Sequence, residues 1–307
     1  MRVLIFDSQA DYYASRLQNQ VPGPDYITAT SIDDALEKAP GTEVIVALAP
    51  YVTPELIAAA SDLRWIQALT TGVDNLMSLD GIAVTNCKGI HGPQMSEMAI
   101  LLMMASARNF PAVQDNQKTK TWERWPQPLL AGKTACLVGV GAISEHLAGL
   151  LNAFGMTVTG VTGRASVPGF ARTFPRDRLH DALAEADFVV LLTPYTPETH
   201  NLIDAEALKA MKPTAHLINL SRGGCLDENA VAAALANGTI AGAALDVFSQ
   251  EPLPAESPLW SQEGLIITPH LGGFADVYHE QALPIVASNM AVYLEGGVDA
   301  LKGRMDP

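Results

Sequence analysis

The chain has 307 residues, 48 % of them hydrophobic and 17 % charged, with a mean hydropathy of +0.15. It is long enough for about two domains at ~150 residues each, and too apolar to remain disordered. With 33 acidic against 19 basic residues, the formal charge of −14 opposes binding to nucleic acid and to anionic membrane surfaces.

The opening residues, Met1 to Asp7, read as a strand and not as a signal sequence, because the apolar run stops at an aspartate. Predicted strands at Val3 to Phe6, Val44 to Leu48, Trp65 to Ala68 and Ile82 to Thr85 alternate with helical segments such as Ser31 to Lys38 and Pro54 to Ala60. That alternation is the pattern of a small flavodoxin-like parallel sheet. Ser96 to Arg108 is apolar nearly all round and reads as a linker helix buried between domains or subunits. Its apolar stretch is about half of the ~20 residues that a bilayer span needs, and no transmembrane helix is expected. Val113 to Gly132, with Trp122 and Trp125 and no strand pattern, reads as an interaction arm.

A second set of predicted strands follows at Thr134 to Val140, Thr157 to Val161, Phe188 to Thr193, His216 to Leu220, Ala243 to Val247 and Leu265 to Thr268. Such a set makes a full dinucleotide-type sheet. Ala275 to Leu294 is again helical in pattern and returns the chain to the first domain. The expected architecture is α/β: a Rossmann-type doubly wound parallel sheet domain, 98–275, inserted into a smaller flavodoxin-like α/β domain, 1–97 and 276–307.

Leu137-Val138-Gly139-Val140-Gly141-Ala142-Ile143-Ser144 follows a predicted strand and opens a helix. Gly139 permits the tight turn and Gly141 lets the backbone approach a pyrophosphate. The amides at the helix start, through Ala142 and Ile143, supply donors and a positive dipole end. Ser144 stands where the motif has a third glycine and is small enough for close helix–strand packing. An NAD-specific fold places an acid ~20 residues further on to accept the ribose hydroxyls. Here 146–176 holds no Asp or Glu, and the second strand runs into Thr162-Gly163-Arg164. A hydroxyl, a glycine and a guanidinium suit a ribose 2′-phosphate. The expected cofactor is NADP(H), with NAD(H) as the alternative, and Thr193 and Pro194 join the expected cofactor contacts.

Three segments carry reactive side chains at or beyond predicted strand ends, where open α/β sheets bind ligands: Asn219-Leu220-Ser221-Arg222-Gly223-Gly224, Ala244 to Pro252, and Thr268-Pro269-His270-Leu271-Gly272-Gly273. With the glycine motif and Thr71-Gly72-Val73-Asp74-Asn75, these motifs in this order resemble the D-isomer-specific 2-hydroxyacid dehydrogenases over nearly the whole chain. The resemblance implies Arg222, Glu251 and His270 as the catalytic set, Asp246 near the nicotinamide, and a homodimer built around the glycine-motif domains. The compact length and Arg164 look most like the glyoxylate/hydroxypyruvate reductase branch.

The chemistry agrees. Reducing a 2-keto acid needs an anion clamp, which the always-charged Arg222 supplies, and a poised proton donor, which His270 supplies. Glu251 on the other ring nitrogen would stabilise the imidazolium. The turn at Thr71, Gly72 and Val73 offers backbone amides for the substrate carboxylate, and Pro50-Tyr51 and Gly89 to Gly92 are expected to shape the pocket. His91 reads as a turn or cap residue. The remaining histidines form no ligand spacing, so no metal is expected. The three scattered cysteines, Cys87, Cys136 and Cys225, form neither a disulfide framework nor a zinc site and fit a reducing cytoplasm. The alternatives to an NADP(H)-linked reductase are an NAD-linked D-2-hydroxyacid dehydrogenase and a dinucleotide-sensing, corepressor-like interaction protein.

Overall fold

Short apolar strands separated by helices build parallel sheets, because a parallel neighbour needs a crossover long enough to bring the chain back to its starting edge. The computed structural model describes residues 1–305. The chain divides into two compact units, one of residues 1–90 together with the segment from Ala275 onward, the other of residues 91–274.

The smaller unit runs β1 (Arg2–Phe6), α1 (Ala10–Gln20), β2 (Asp25–Ala29), α2 (Ile32–Lys38), β3 (Val44–Ala47), α3 (Pro54–Ala59), β4 (Trp65–Ala68) and β5 (Ala83–Thr85). Its sheet is parallel throughout, in the order β2-β1-β3-β4-β5. The two-residue period of β1 sorts its side chains between two cores, Val3 and Ile5 into one, Leu4 and Phe6 into the other.

The larger unit runs α4 (Gly92–Ala107), α5 (Phe110–Thr119), β6 (Thr134–Val138), α6 (Ala142–Ala153), β7 (Thr157–Val161), β8 (Arg172–Phe174), α7 (Leu179–Glu185), β9 (Phe188–Leu191), α8 (Ala205–Ala210), β10 (His216–Asn219), α9 (Glu228–Ala236), β11 (Gly242–Leu245) and β12 (Leu265–Ile267). These strands form a parallel sheet in the order β12-β11-β10-β9-β6-β7-β8. The order reverses at β6, between β7 and β9, so the crevice beyond the C-terminal end of β6 is where such a sheet binds its ligand. The chain then returns to the smaller unit as α10 (Tyr278–Gly296), which packs beside α1. There Asn289 Nδ2 donates to Gln67 Oε1 at 2.7 Å, and the Tyr278 hydroxyl donates to the Leu69 carbonyl at 2.6 Å.

Two strands escaped the sequence reading, β2 and β8, and both lie at sheet edges. An edge strand is covered less and needs fewer apolar residues: β2 is DYITA, mostly half-exposed, and β8 is RTF. The larger unit begins at His91 and not at 98. The reason is that α4 packs along α6 and onto β10 and β11, so it forms a layer of this unit and is not a separate linker. The expected arm is helical in its first part, as α5, set off from α4 by Asn109 in a left-handed conformation (φ 50°).

Candidate active site

The turn after β6 must be tight, and Gly139 meets that need with φ +91°. A Cβ there would lie 2.7 Å from the Thr193 Cα, so the turn is closed against the chain that leaves β9, and Thr193 stands beside the motif. Gly141 caps α6, and the space where its Cβ would stand is open to beyond 4 Å. Ser144 is buried and its hydroxyl donates to the Gly139 carbonyl at 2.6 Å, tying the helix start to the turn in place of close packing by a glycine. A backbone cradle closed on one side, open above the amides of α6, fits a dinucleotide pyrophosphate.

Thr162, Gly163 and Arg164 follow β7. The Arg164 Nη2 donates to the carbonyl of Val140, the residue between the two glycines, at 2.8 Å, so the guanidinium lies over the turn. It also pairs with Glu145 Oε1 at 2.8 Å. The acid-free stretch is real in sequence, but the fold brings a carboxylate from the first turn of α6 to the expected phosphate-binding arginine. Glu145 directly follows Ser144, so this acid lies within the helix start and not ~20 residues further on.

Beyond β10, the fully buried Asn219 organises the next segment. Its Oδ1 accepts from the Ser221 amide at 3.0 Å and the Ser221 hydroxyl at 2.7 Å, and its Nδ2 donates to the Arg222 carbonyl at 3.1 Å. Arg222 is extended and half-buried at this turn. Gly223 is required by contact: a Cβ there would stand 1.8 Å from the Phe248 carbonyl carbon and 2.1 Å from the Ser249 nitrogen. The loops bearing Arg222 and Glu251 are therefore in direct backbone contact. Glu228 accepts from the Ser249 amide at 2.6 Å and Glu251 Oε1 from the Phe248 amide at 2.9 Å, which hold the second loop.

Asp246, expected near the nicotinamide, has a structural task that the sequence did not reveal. Buried at the end of β11, it accepts from the Thr268 hydroxyl (2.6 Å) and the Leu271 amide (2.8 Å) on Oδ1, and from the Gly272 amide (2.9 Å) on Oδ2. Its carbonyl takes the His270 amide at 2.7 Å. These bonds hold His270 in a left-handed conformation (φ 54°) that a residue with a Cβ adopts at a cost.

In that position His270 Nδ1 is 2.7 Å from Glu251 Oε2. The hydrogen bond to Glu251 is the largest influence on His270 and holds its pKa above the ordinary 6.5, against partial burial and the Arg222 charge. Burial pushes Glu251 up, but the bonds from His270 and Phe248 and the Arg222 charge bring it below 4.5. The site thus joins an imidazole, a carboxylate and a guanidinium that influence one another.

His91 is the residue before α4; its side chain does not cap the helix, and burial pushes its pKa down to about 4, so it is neutral at pH 7. In the smaller unit, the Thr71 to Val73 turn follows β4. The Thr70 hydroxyl donates to the Gly72 carbonyl at 2.7 Å and Asn86 Nδ2 to the Thr71 carbonyl at 2.7 Å, fixing the turn through its carbonyls. Among the described residues no group of three His, Cys, Asp or Glu is arranged to hold a metal, and no helix is long and apolar enough to cross a membrane.

Comparison with known proteins places the family. Residues 100–272 match the family model for the NAD binding domain of D-isomer specific 2-hydroxyacid dehydrogenases. The chain is 38 % identical over 285 residues to D-3-phosphoglycerate dehydrogenase of Synechocystis, covering 88 % of this chain and 50 % of that protein. It spans about half the length of the curated phosphoglycerate dehydrogenases it matches. Among solved structures, a D-isomer specific 2-hydroxyacid dehydrogenase family protein from Aeromonas salmonicida superposes with a TM-score of 0.91 at 33 % identity, over 99 % of this chain and 98 % of that one. An NADPH-dependent glyoxylate/hydroxypyruvate reductase from Sinorhizobium meliloti, solved with NADP and sulfate, superposes with a TM-score of 0.83 at 25 % identity, over 99 % and 98 %. The chain belongs to the D-isomer specific 2-hydroxyacid dehydrogenase family.

Proposed function

We propose that this chain is an NADP(H)-linked reductase that converts small 2-keto acids, of the glyoxylate or hydroxypyruvate kind, into D-2-hydroxy acids. The observation that carries the reading is the His270–Glu251 pair at 2.7 Å, which raises the histidine's pKa above its ordinary value, beside Arg222. When bound, the nicotinamide supplies the hydride that the carbonyl carbon receives. His270 gives its proton from the ring nitrogen not engaged by Glu251 to the carbonyl oxygen, and Glu251 stabilises the imidazolium before transfer. Arg222 binds the substrate carboxylate through its fork of donors and polarises the keto oxygen. Gly139, Gly141, Ala142 and Ile143 would hold the pyrophosphate, with Thr193 and Pro194 alongside. Thr162, Gly163 and Arg164 would receive the ribose 2′-phosphate, and Asp246 keeps the His270 turn in register at the nicotinamide end. Thr71, Gly72 and Val73 are the substrate-binding segment we assign to the smaller unit. The reductase of Sinorhizobium meliloti supports the cofactor and substrate class. The protein acts as a homodimer in the reducing cytoplasm.

A second reading, an NAD-linked dehydrogenase acting on a D-2-hydroxy acid, draws support from Glu145, which stands where a phosphate would meet Arg164. Oxidation of NADPH and of NADH, each followed over 2-keto acids graded by size, separates the two readings. His270→Ala is expected to lower kcat on the order of 10²- to 10⁴-fold, the share general acid catalysis supplies. A fully active variant would falsify the role, and absence of turnover with every acid despite nucleotide binding would favour a sensing protein.

A further inference from the structure

Arg164 has an internal counter-ion. One nitrogen, Nη2, is shared between the Val140 carbonyl and Glu145 Oε1, each at 2.8 Å. Its Nε and Nη1 have no protein acceptor among the described residues, and nothing stands within 4 Å of where a Gly163 Cβ would be. The Thr162 hydroxyl oxygen accepts the Arg164 amide at 3.3 Å, leaving its proton to donate. This is an open, partly cationic surface at the end of β7 with one carboxylate at its edge. The pair is about half exposed on both sides, 47 % and 45 %, so it is weak and screened by salt, and an anion of higher charge can displace it. A phosphate at Arg164 has to approach Glu145, and the like charges oppose each other.

We propose that Glu145 is a specificity-determining residue: it holds Arg164 in place over the glycine turn and competes with the ribose 2′-phosphate for its guanidinium, limiting the preference for NADP(H) over NAD(H). The inference rests on the assignment of Arg164 to the 2′-phosphate. A nucleotide without that phosphate has nothing to gain from the exchange.

The test is calorimetric titration of the full chain, wild type and Glu145→Gln, with adenosine 2′,5′-bisphosphate and with adenosine 5′-monophosphate, two probes that differ at the 2′ position. Glutamine keeps the size and removes the charge from an exposed side chain. Glu145→Gln is expected to tighten the bisphosphate by roughly twofold to fivefold, the scale of an exposed pair, and to leave the monophosphate unchanged. If the wild type prefers the bisphosphate and the variant binds it no better, the inference falls and the NADP(H) reading stands. Equal binding of both probes by both proteins overturns both. Weaker monophosphate binding by the variant would make Glu145 a ribose ligand and likewise overturn the proposal.

Discussion

The hydrogen bond to Glu251 raises the His270 pKa, and the sign of the pH dependence follows. Reduction needs the imidazolium, so kcat/KM for a 2-keto acid is expected to be level at low pH and to fall as pH rises through the raised His270 pKa, above 6.5. Oxidation of the hydroxy acid needs the neutral ring and should show the opposite limb. Glu251→Gln removes the largest raising influence, so the midpoint should move to lower pH; an unmoved midpoint in the pH profile would show that another group titrates. The same pair acts on stability. His270, with its pKa raised on folding, contributes stability in full below 6.5 and loses it as pH rises through the folded value. Glu251, lowered from 4.5, contributes above that value and loses it as pH falls through the folded one. Both residues and Arg222 were legible in the sequence from their motifs. Their mutual distances were not, because those depend on loops leaving different strands.

At the scale of elements, the side chains we propose as catalytic stand on turns that follow neighbouring strands, β10, β11 and β12, and the turns are held by other groups. Asn219 folds the first turn and Asp246 the third, and Gly223 lets the first touch the second. Gly223→Ala forces a methyl group against the Phe248 and Ser249 backbone, which cannot yield without moving the Glu251 loop. It is expected to cost on the order of 1–3 kcal/mol, as overpacking does, and to lower kcat through a displaced Glu251. Thermal unfolding with parallel kinetics checks this; unchanged kcat at a lowered melting temperature would separate packing from positioning. The interior strands were readable because burial on both faces demands apolar runs. β2 and β8, at the edges, meet no such demand, and α5 is a mixed polar helix without a wide apolar face.

On the scale of the whole molecule, the larger unit exposes apolar side chains along one stretch of chain: Leu101 (60 % exposed), Phe110 (50 %), Trp122 (91 %) and Leu129 (62 %). The homodimer we propose would cover these side chains. Sedimentation velocity is expected to give a dimer that Trp122→Glu combined with Leu129→Glu weakens; a wild-type monomer at micromolar concentration would refute the assignment. By itself the sequence determined the parallel α/β class, the family, the glycine turn and the identities of Arg222, Glu251 and His270. These signals are local: strand and helix periods and turn residues act over a few positions of chain. Tertiary structure alone decided that α4 belongs to the larger unit, that Asp246 braces the histidine turn, and that Glu145 meets Arg164. Each of these depends on which distant segments the sheet order brings side by side, and no local pattern records that.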